Sequence, residues 1–165
     1  MFYNKIVFNE VLKYCMYILV ERHLSPLDKG IQSAHAVVEY YNECRLWNKK
    51  EILKAFDKWA NKDKTLILLN GGSVIDLDKT LELFEENNIA YGAFREPDLD
   101  NIVTAVAVLA DERIFEDKYM PFDVWQMKAL LNKSLVSCGR EYESYIGGHE
   151  NVILKELLND KKIVN

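Results

Sequence analysis

An unbroken apolar run, Tyr14 to Val20, hands over within a few residues to the segment Lys29-Gly30-Ile31-Gln32-Ser33-Ala34-His35-Ala36. The run carries no turn-forming residue and reads as a buried β-strand spanning Tyr14 to Arg22. Ser25-Pro26-Leu27-Asp28 follows as a turn in which proline fixes the backbone and Asp28 can cap a helix. The spacing predicts that helix from about Lys29 to Cys44, with Ile31, Ala34 and Val38 as an apolar stripe beside a second stripe of Gln32, His35 and Glu39. Lys29, Gln32 and His35 thus crowd the place where a strand gives way to a helix start. Unpaired backbone N–H groups and a cation there suit a phosphate or a developing oxyanion.

The rest of the chain repeats the alternation. Glu51 to Ala60 is predicted helical, with Ile52, Leu53, Phe56 and Trp59 inward and lysines outward. Thr65 to Leu69 reads as a second strand, broken by Asn70-Gly71-Gly72-Ser73, with Ser73 capping a helix to about Glu86. Ile89 to Phe94 and Ile102 to Ala110 read as third and fourth strands around a polar loop, Arg95 to Asn101. The order β-α-α-β-α-β-β implies a three-layer α/β/α fold with a mixed four-stranded sheet. Residues 1–111 form that α/β domain, and residues 112–165 a mainly helical extension packed on it, with helices predicted over Val124–Leu135 and Asn151–Leu158 around a break at Gly147-Gly148. The apolar and aromatic side chains of the first dozen residues predict that they dock on the domain.

With 165 residues the chain holds one ordinary domain with a real core. No stretch approaches the ~18 apolar residues of a membrane span, and the first residues lack the pattern of a secretory signal. Three scattered cysteines, Cys15, Cys44 and Cys138, suit a reducing compartment and predict a cytoplasmic protein. They and the three histidines lack metal-ligand spacing, so no metal or other cofactor is expected. The net charge of −5 argues against nonspecific coating of nucleic acid. A local basic face remains open: Lys50, Lys54 and Lys58 recur every four residues along one side of a helix, either as a solvated face or as a surface for an RNA backbone.

Two polar clusters sit at strand ends. One is Lys29, Gln32 and His35; the other runs from Glu96 and Asp98 to Thr104, the one polar side chain in an apolar strand. If the strands run parallel, both clusters occupy the sheet edge where open α/β sheets bind ligands. The sequence has neither a glycine-rich dinucleotide fingerprint nor a nucleophile elbow, so water activated by a carboxylate or by His35 is the fitting nucleophile.

These features resemble the archaeal and eukaryotic-type (type 2) peptidyl-tRNA hydrolases over roughly residues 13–111. That family carries Gly-Lys-x-Ala-Ala-Gln-x-x-His-Ala after its first strand, and Gln32, His35 and Ala36 coincide with it. An acidic loop and a threonine-led strand follow in the family, as Arg95 to Thr104 do here. Two departures stand out. Asp28 occupies the family's lysine position, leaving Lys29 rotated by roughly 100° around the helix, and the acidic loop is shorter.

The resemblance implies hydrolysis of the ester joining a peptide to the 3′ ribose of transfer RNA, an activity of translation. Glu96 or Asp98 would orient or deprotonate water, and Lys29 with helix-start N–H groups would hold the oxyanion or a phosphate. Thr104 and Gln32 would position the ester, His35 would orient neighbours or relay a proton, and Lys50, Lys54 and Lys58 would meet the RNA backbone. The alternative is a lapsed enzyme that binds tRNA, a nucleotide or a protein on the same fold. Tyr119, Met120, Phe122 and Trp125 read either as packing on the domain or as anchors of an interface such as a homodimer.

Overall fold

Every residue of the first strand, β1 (Tyr14–Glu21), is buried, and the architecture is built outward from it. A computed structural model describes residues 11–46, 50–131, 138–159, 161 and 163–164. β1 pairs in parallel with β2 (Thr65–Gly72) and antiparallel with β4 (Ile102–Asp111), and β4 pairs antiparallel with β3 (Gly92–Glu96). The order β2-β1-β4-β3 makes a mixed four-stranded sheet.

Helices cover both faces. Met16, Ile18 and Val20 meet Ala36, Tyr40, Ala55 and Trp59, which belong to α1 (Pro26–Leu46), α2 (Lys50–Lys58) and the π-helical turn after it. Cys15, Tyr17 and Leu19 meet Leu77, Leu81 and Phe84 of α3 (Val74–Glu86) and Leu154 and Leu158 of α7 (His149–Asn159). The C-terminal extension contains α4 (Glu112–Phe115), α5 (Phe122–Leu131) and α6 (Cys138–Ile146) before α7. The expected docking of the first dozen residues lies almost wholly outside the described residues, as does the stretch after Leu131 of the predicted Val124–Leu135 helix.

Local chemistry explains where elements begin. Ser73 caps α3 through a reciprocal box with Asp76, in which each side chain bonds the other's backbone N–H. α1 begins three residues before the predicted start, because Ser25 is its cap: Ser25 Oγ accepts from Asp28 N at 3.2 Å and donates to the Asp28 carboxylate at 2.6 Å. Asp28 is therefore a partner of the cap, in the first turn. β2 continues through Asn70 and Gly71 to Gly72, where a break was expected. It does so because Gly71 can lie against the Val20 backbone: a Cβ there would meet Val20 N and O at 3.0 Å and Leu77 Cδ2 at 2.6 Å.

The apolar stripe of α1 does not face the core. Ile31 and Val38 are 44% and 54% exposed, whereas Gln32, Ser33, Ala36, Tyr40 and Cys44 are buried. The helix rotates this way because its Ala36–Tyr40 turn rests directly on β3. A Cβ on Gly92 would lie 2.1 Å from Tyr40 N and 2.5 Å from Ala36 O, so only glycine permits the contact. The large ring of Tyr40 then fills the interior.

Gly92→Ala should cost about 1–3 kcal/mol, the usual penalty of overpacking, read as a lower urea midpoint at unchanged slope. Burial also pushes the Cys15 thiol up to about 12. At pH 8 it should resist iodoacetamide until denaturant opens the core, because the reactive thiolate is then scarce.

Candidate functional site

β3 runs parallel to β1, since each is antiparallel to β4. The fourth strand runs the other way, so β3 and β4 form a hairpin through a short 3-10 turn at Pro97–Leu99, and the parallel condition holds for β3 alone. That hairpin end, the C-terminal end of β1 and the start of α1 share one sheet edge. The two polar clusters meet there.

Gln32 joins them. Its Nε2 donates to Glu96 Oε2 at 2.5 Å, and its Oε1 accepts from Thr104 Oγ1 at 3.1 Å. Thr104 and Gln32 are buried, at 1% and 7% exposure, while Glu96 is half-buried and reaches solvent. The side-chain amide thereby ties a buried hydroxyl to a carboxylate at the surface, using one acceptor and one donor. Among the described residues Glu96 Oε1 has a long 3.5 Å contact from Asp98 N and room for a further donor such as water.

A sheet irregularity aims Thr104. Phe94 pairs with Ala105, but Arg95 pairs with Val103, so Thr104 is an extra residue in β4. The alternation of β4 breaks there: Val103 and Val106 join one core layer while Ala105 and Ala107 join the other. A bulge of this kind re-aims a side chain, and here the hydroxyl reaches α1.

The other expected residues fall as follows. Asp98 is exposed, so Glu96 is the carboxylate gathered into the network. His35 is exposed and stacks on Phe94, with ring centroids 4.4 Å apart and planes 15° from parallel. It bonds none of Gln32, Glu96 or Thr104, which leaves a relay without a path. Lys29 is half-buried one turn before Gln32, with no ion pair among the described residues. Because α1 starts at Pro26, Lys29 N already bonds Ser25 O at 2.9 Å and Asp28 N bonds Ser25 Oγ at 3.2 Å, so these two N–H groups are not free for a ligand.

The lysine helix lies elsewhere. Lys58 turns inward, its ammonium bonding Leu12 O at 2.7 Å and Asp63 at 2.8 Å, while Asp63 also accepts from Tyr14 N at 2.8 Å. These contacts hold α2 at the N-terminal end of β1, the edge opposite Glu96. Lys50 and Lys54 are exposed on that helix. A cavity of about 430 Å³ two turns along α1 from Gln32 is lined by Glu39, Glu43, Glu85 and Tyr91 and lies apart from the network. Among the described residues no group of three or more His, Cys, Asp or Glu side chains gathers as a metal site, and no helix is long and apolar enough to cross a membrane.

The sequence reading missed Glu21. It is 7% exposed at the end of β1, and it accepts from the backbone N–H groups of His23 and Leu24. A carboxylate closing an apolar strand was its only signal.

No model of a known protein family matches the chain, and a search of curated proteins finds no relative.

Thr104→Val should leave the buried Gln32 carbonyl without a donor and cost about 1–3 kcal/mol. A double-mutant cycle with Gln32→Met should return a coupling of about 0.5–3 kcal/mol, measured by urea unfolding. Additive losses would mean that the two side chains do not act as one unit.

Proposed function

We propose that this chain hydrolyses the ester between a peptide and the 3′ ribose of transfer RNA, with water as the nucleophile and no cofactor. One observation carries the reading: Gln32 joins Glu96 and Thr104, each more than sixty positions away, in a hydrogen-bonded network with one carboxylate oxygen open to water. The likeness of Gln32, His35, Ala36 and the threonine-led strand to the type 2 peptidyl-tRNA hydrolases selects this ester among others.

In this mechanism Glu96 Oε1 orients a water and takes its proton as the water oxygen bonds the ester carbonyl carbon. Gln32, braced by Thr104, holds the carboxylate against rotation, which keeps the base aligned. The tetrahedral oxyanion is met by the Lys29 ammonium, a flexible cation within a turn of Gln32. Collapse breaks the bond to the ribose 3′ oxygen, which receives the proton held by Glu96. His35, stacked on Phe94, walls the site beside the reacting centre. A reducing, cytoplasmic setting suits both the substrate and the buried thiols of Cys15 and Cys44.

A second reading has its own support. Asp28 fills the family's lysine position and is spent on Ser25, so Lys29 alone must supply the cation. Without that contribution the scaffold binds tRNA and cleaves nothing.

Ester cleavage and tRNA binding measured on one folded preparation separate the two. Glu96→Gln should lower kcat by about 10²–10⁴-fold, and Lys29→Met by up to about 10²–10³-fold, while Asp98→Asn acts far more weakly. Wild-type protein that binds tRNA yet leaves peptidyl-tRNA intact would sink the hydrolase reading in favour of the binder.

A further inference from the structure

The turn after β1 is built more firmly than a connection requires. Glu21, 7% exposed, accepts from His23 N at 2.6 Å, from Leu24 N at 3.1 Å and from His23 Nδ1 at 2.7 Å. Arg22 N donates to Gly72 O at 2.9 Å, which ties the same turn to β2. A nearly buried carboxylate is thus committed to holding two side chains that stand in water: Arg22 is exposed, and the His23 side chain is 70% exposed. Ordinary turns are capped by Ser, Asn or Asp through the backbone alone; here the ring is clamped as well.

The clamp fixes the chemistry of the ring. With Nδ1–H given to Glu21, the Nε2 lone pair points outward, where Arg22 Nε donates to it at 3.2 Å. The turn therefore holds an exposed guanidinium against an imidazole acceptor, each the other's partner until a ligand replaces it. Val20 pairs with Ala105, the neighbour of Thr104, so this display sits at the edge that carries the Gln32–Glu96 network. It supplies the cation there that the lysines of α2, on the opposite edge, do not.

We infer that Arg22 and His23 form an RNA sugar–phosphate subsite: the Arg22 guanidinium turns from His23 to a phosphate, and the Nε2 lone pair it releases accepts from the 2′-hydroxyl of the adjoining ribose. Guanidinium suits phosphate through its planar fork of donors. A 2′-hydroxyl is the group that separates RNA from DNA at such a position. The inference rests on the tRNA-directed reading above and adds where the nucleotide backbone is held.

The test uses the full chain and fluorescence anisotropy with an acceptor-stem RNA hairpin that carries no ester, its DNA counterpart, and inorganic phosphate as competitor. Wild type should prefer the RNA. Arg22→Gln should weaken RNA and DNA alike by about tenfold and lower the salt slope by about 1. His23→Phe should lose the preference for RNA while keeping the salt slope, and Lys128→Gln, on α5, should match wild type. Equal RNA and DNA affinity in wild type, or unchanged binding in Arg22→Gln, would overturn the inference. So would competition by free phosphate without any binding of the hairpin. The expected binding pattern in a protein that cleaves no ester would leave the subsite standing and the hydrolase reading fallen. Cleavage with Arg22→Gln and His23→Phe both indistinguishable from wild type would do the reverse.

Discussion

The seating of α1 on β3 at Gly92 is the contact on which the site depends. Helix and strand run in opposite directions, and their side chains meet as rungs. The Ala36–Tyr40 turn lies on Gly92, His35 stacks on Phe94, and Gln32 bonds Glu96. Two strand residues advance about 6.6 Å, and a helical turn advances about 5.4 Å, so the rungs stay nearly in step over this short span. A side chain at position 92 would lift the helix, and the longest polar rung would part first, because hydrogen bonds weaken steeply with distance and angle.

The same seating explains what could and could not be read from the sequence. β1 was legible because strand burial on both faces demands a continuous apolar run, and Tyr14 to Val20 is one. The box at Ser73 and Asp76 was half legible, since the cap residue and the helix end are local signals. The orientation of α1 was not. Its apolar stripe at Ile31, Ala34 and Val38 is a local pattern, while the buried face is chosen by a glycine some sixty positions away. Thr104 was noticed as a lone hydroxyl in an apolar strand, but a strict alternation would have aimed it at the wrong layer. The bulge that corrects this depends on the pairing with β3. Lys58 misled for a related reason: regular spacing marks a helix face, yet burial of its ammonium is decided by Leu12 and Asp63 beyond the helix.

Charges of both signs meet at this edge. The Gln32–Glu96 edge carries Arg22 and Lys29 beside the carboxylates of Glu96, Asp98 and Asp100, while Glu21 is engaged with its turn and Asp28 with Ser25. In an acidic chain of net charge −5, an anion at this edge would be held by individual cations and not by a net positive field. The cavity lined by Glu39, Glu43 and Glu85 is the more acidic surface and would repel a phosphate backbone.

The opposite edge holds the extension. Asp111, 7% exposed, accepts two bonds from the Arg113 guanidinium and one from Asn151, while Lys155 caps the end of α4 on the carbonyls of Arg113 and Ile114. Tyr119, Phe122 and Trp125 are packed against Tyr142 and Tyr145 of α6, and Met120 bonds both tyrosine hydroxyls through its backbone, so these aromatics are occupied within the extension. β4 thus carries the Gln32–Glu96 network at its Thr104 end and the docked helices at its Asp111 end, separated by about 23 Å of strand. Over that distance polar groups act separately unless the strand itself shifts. Glu96 can be tuned by its own neighbours while Asp111 keeps the extension docked, and this separation lets one small sheet carry both tasks.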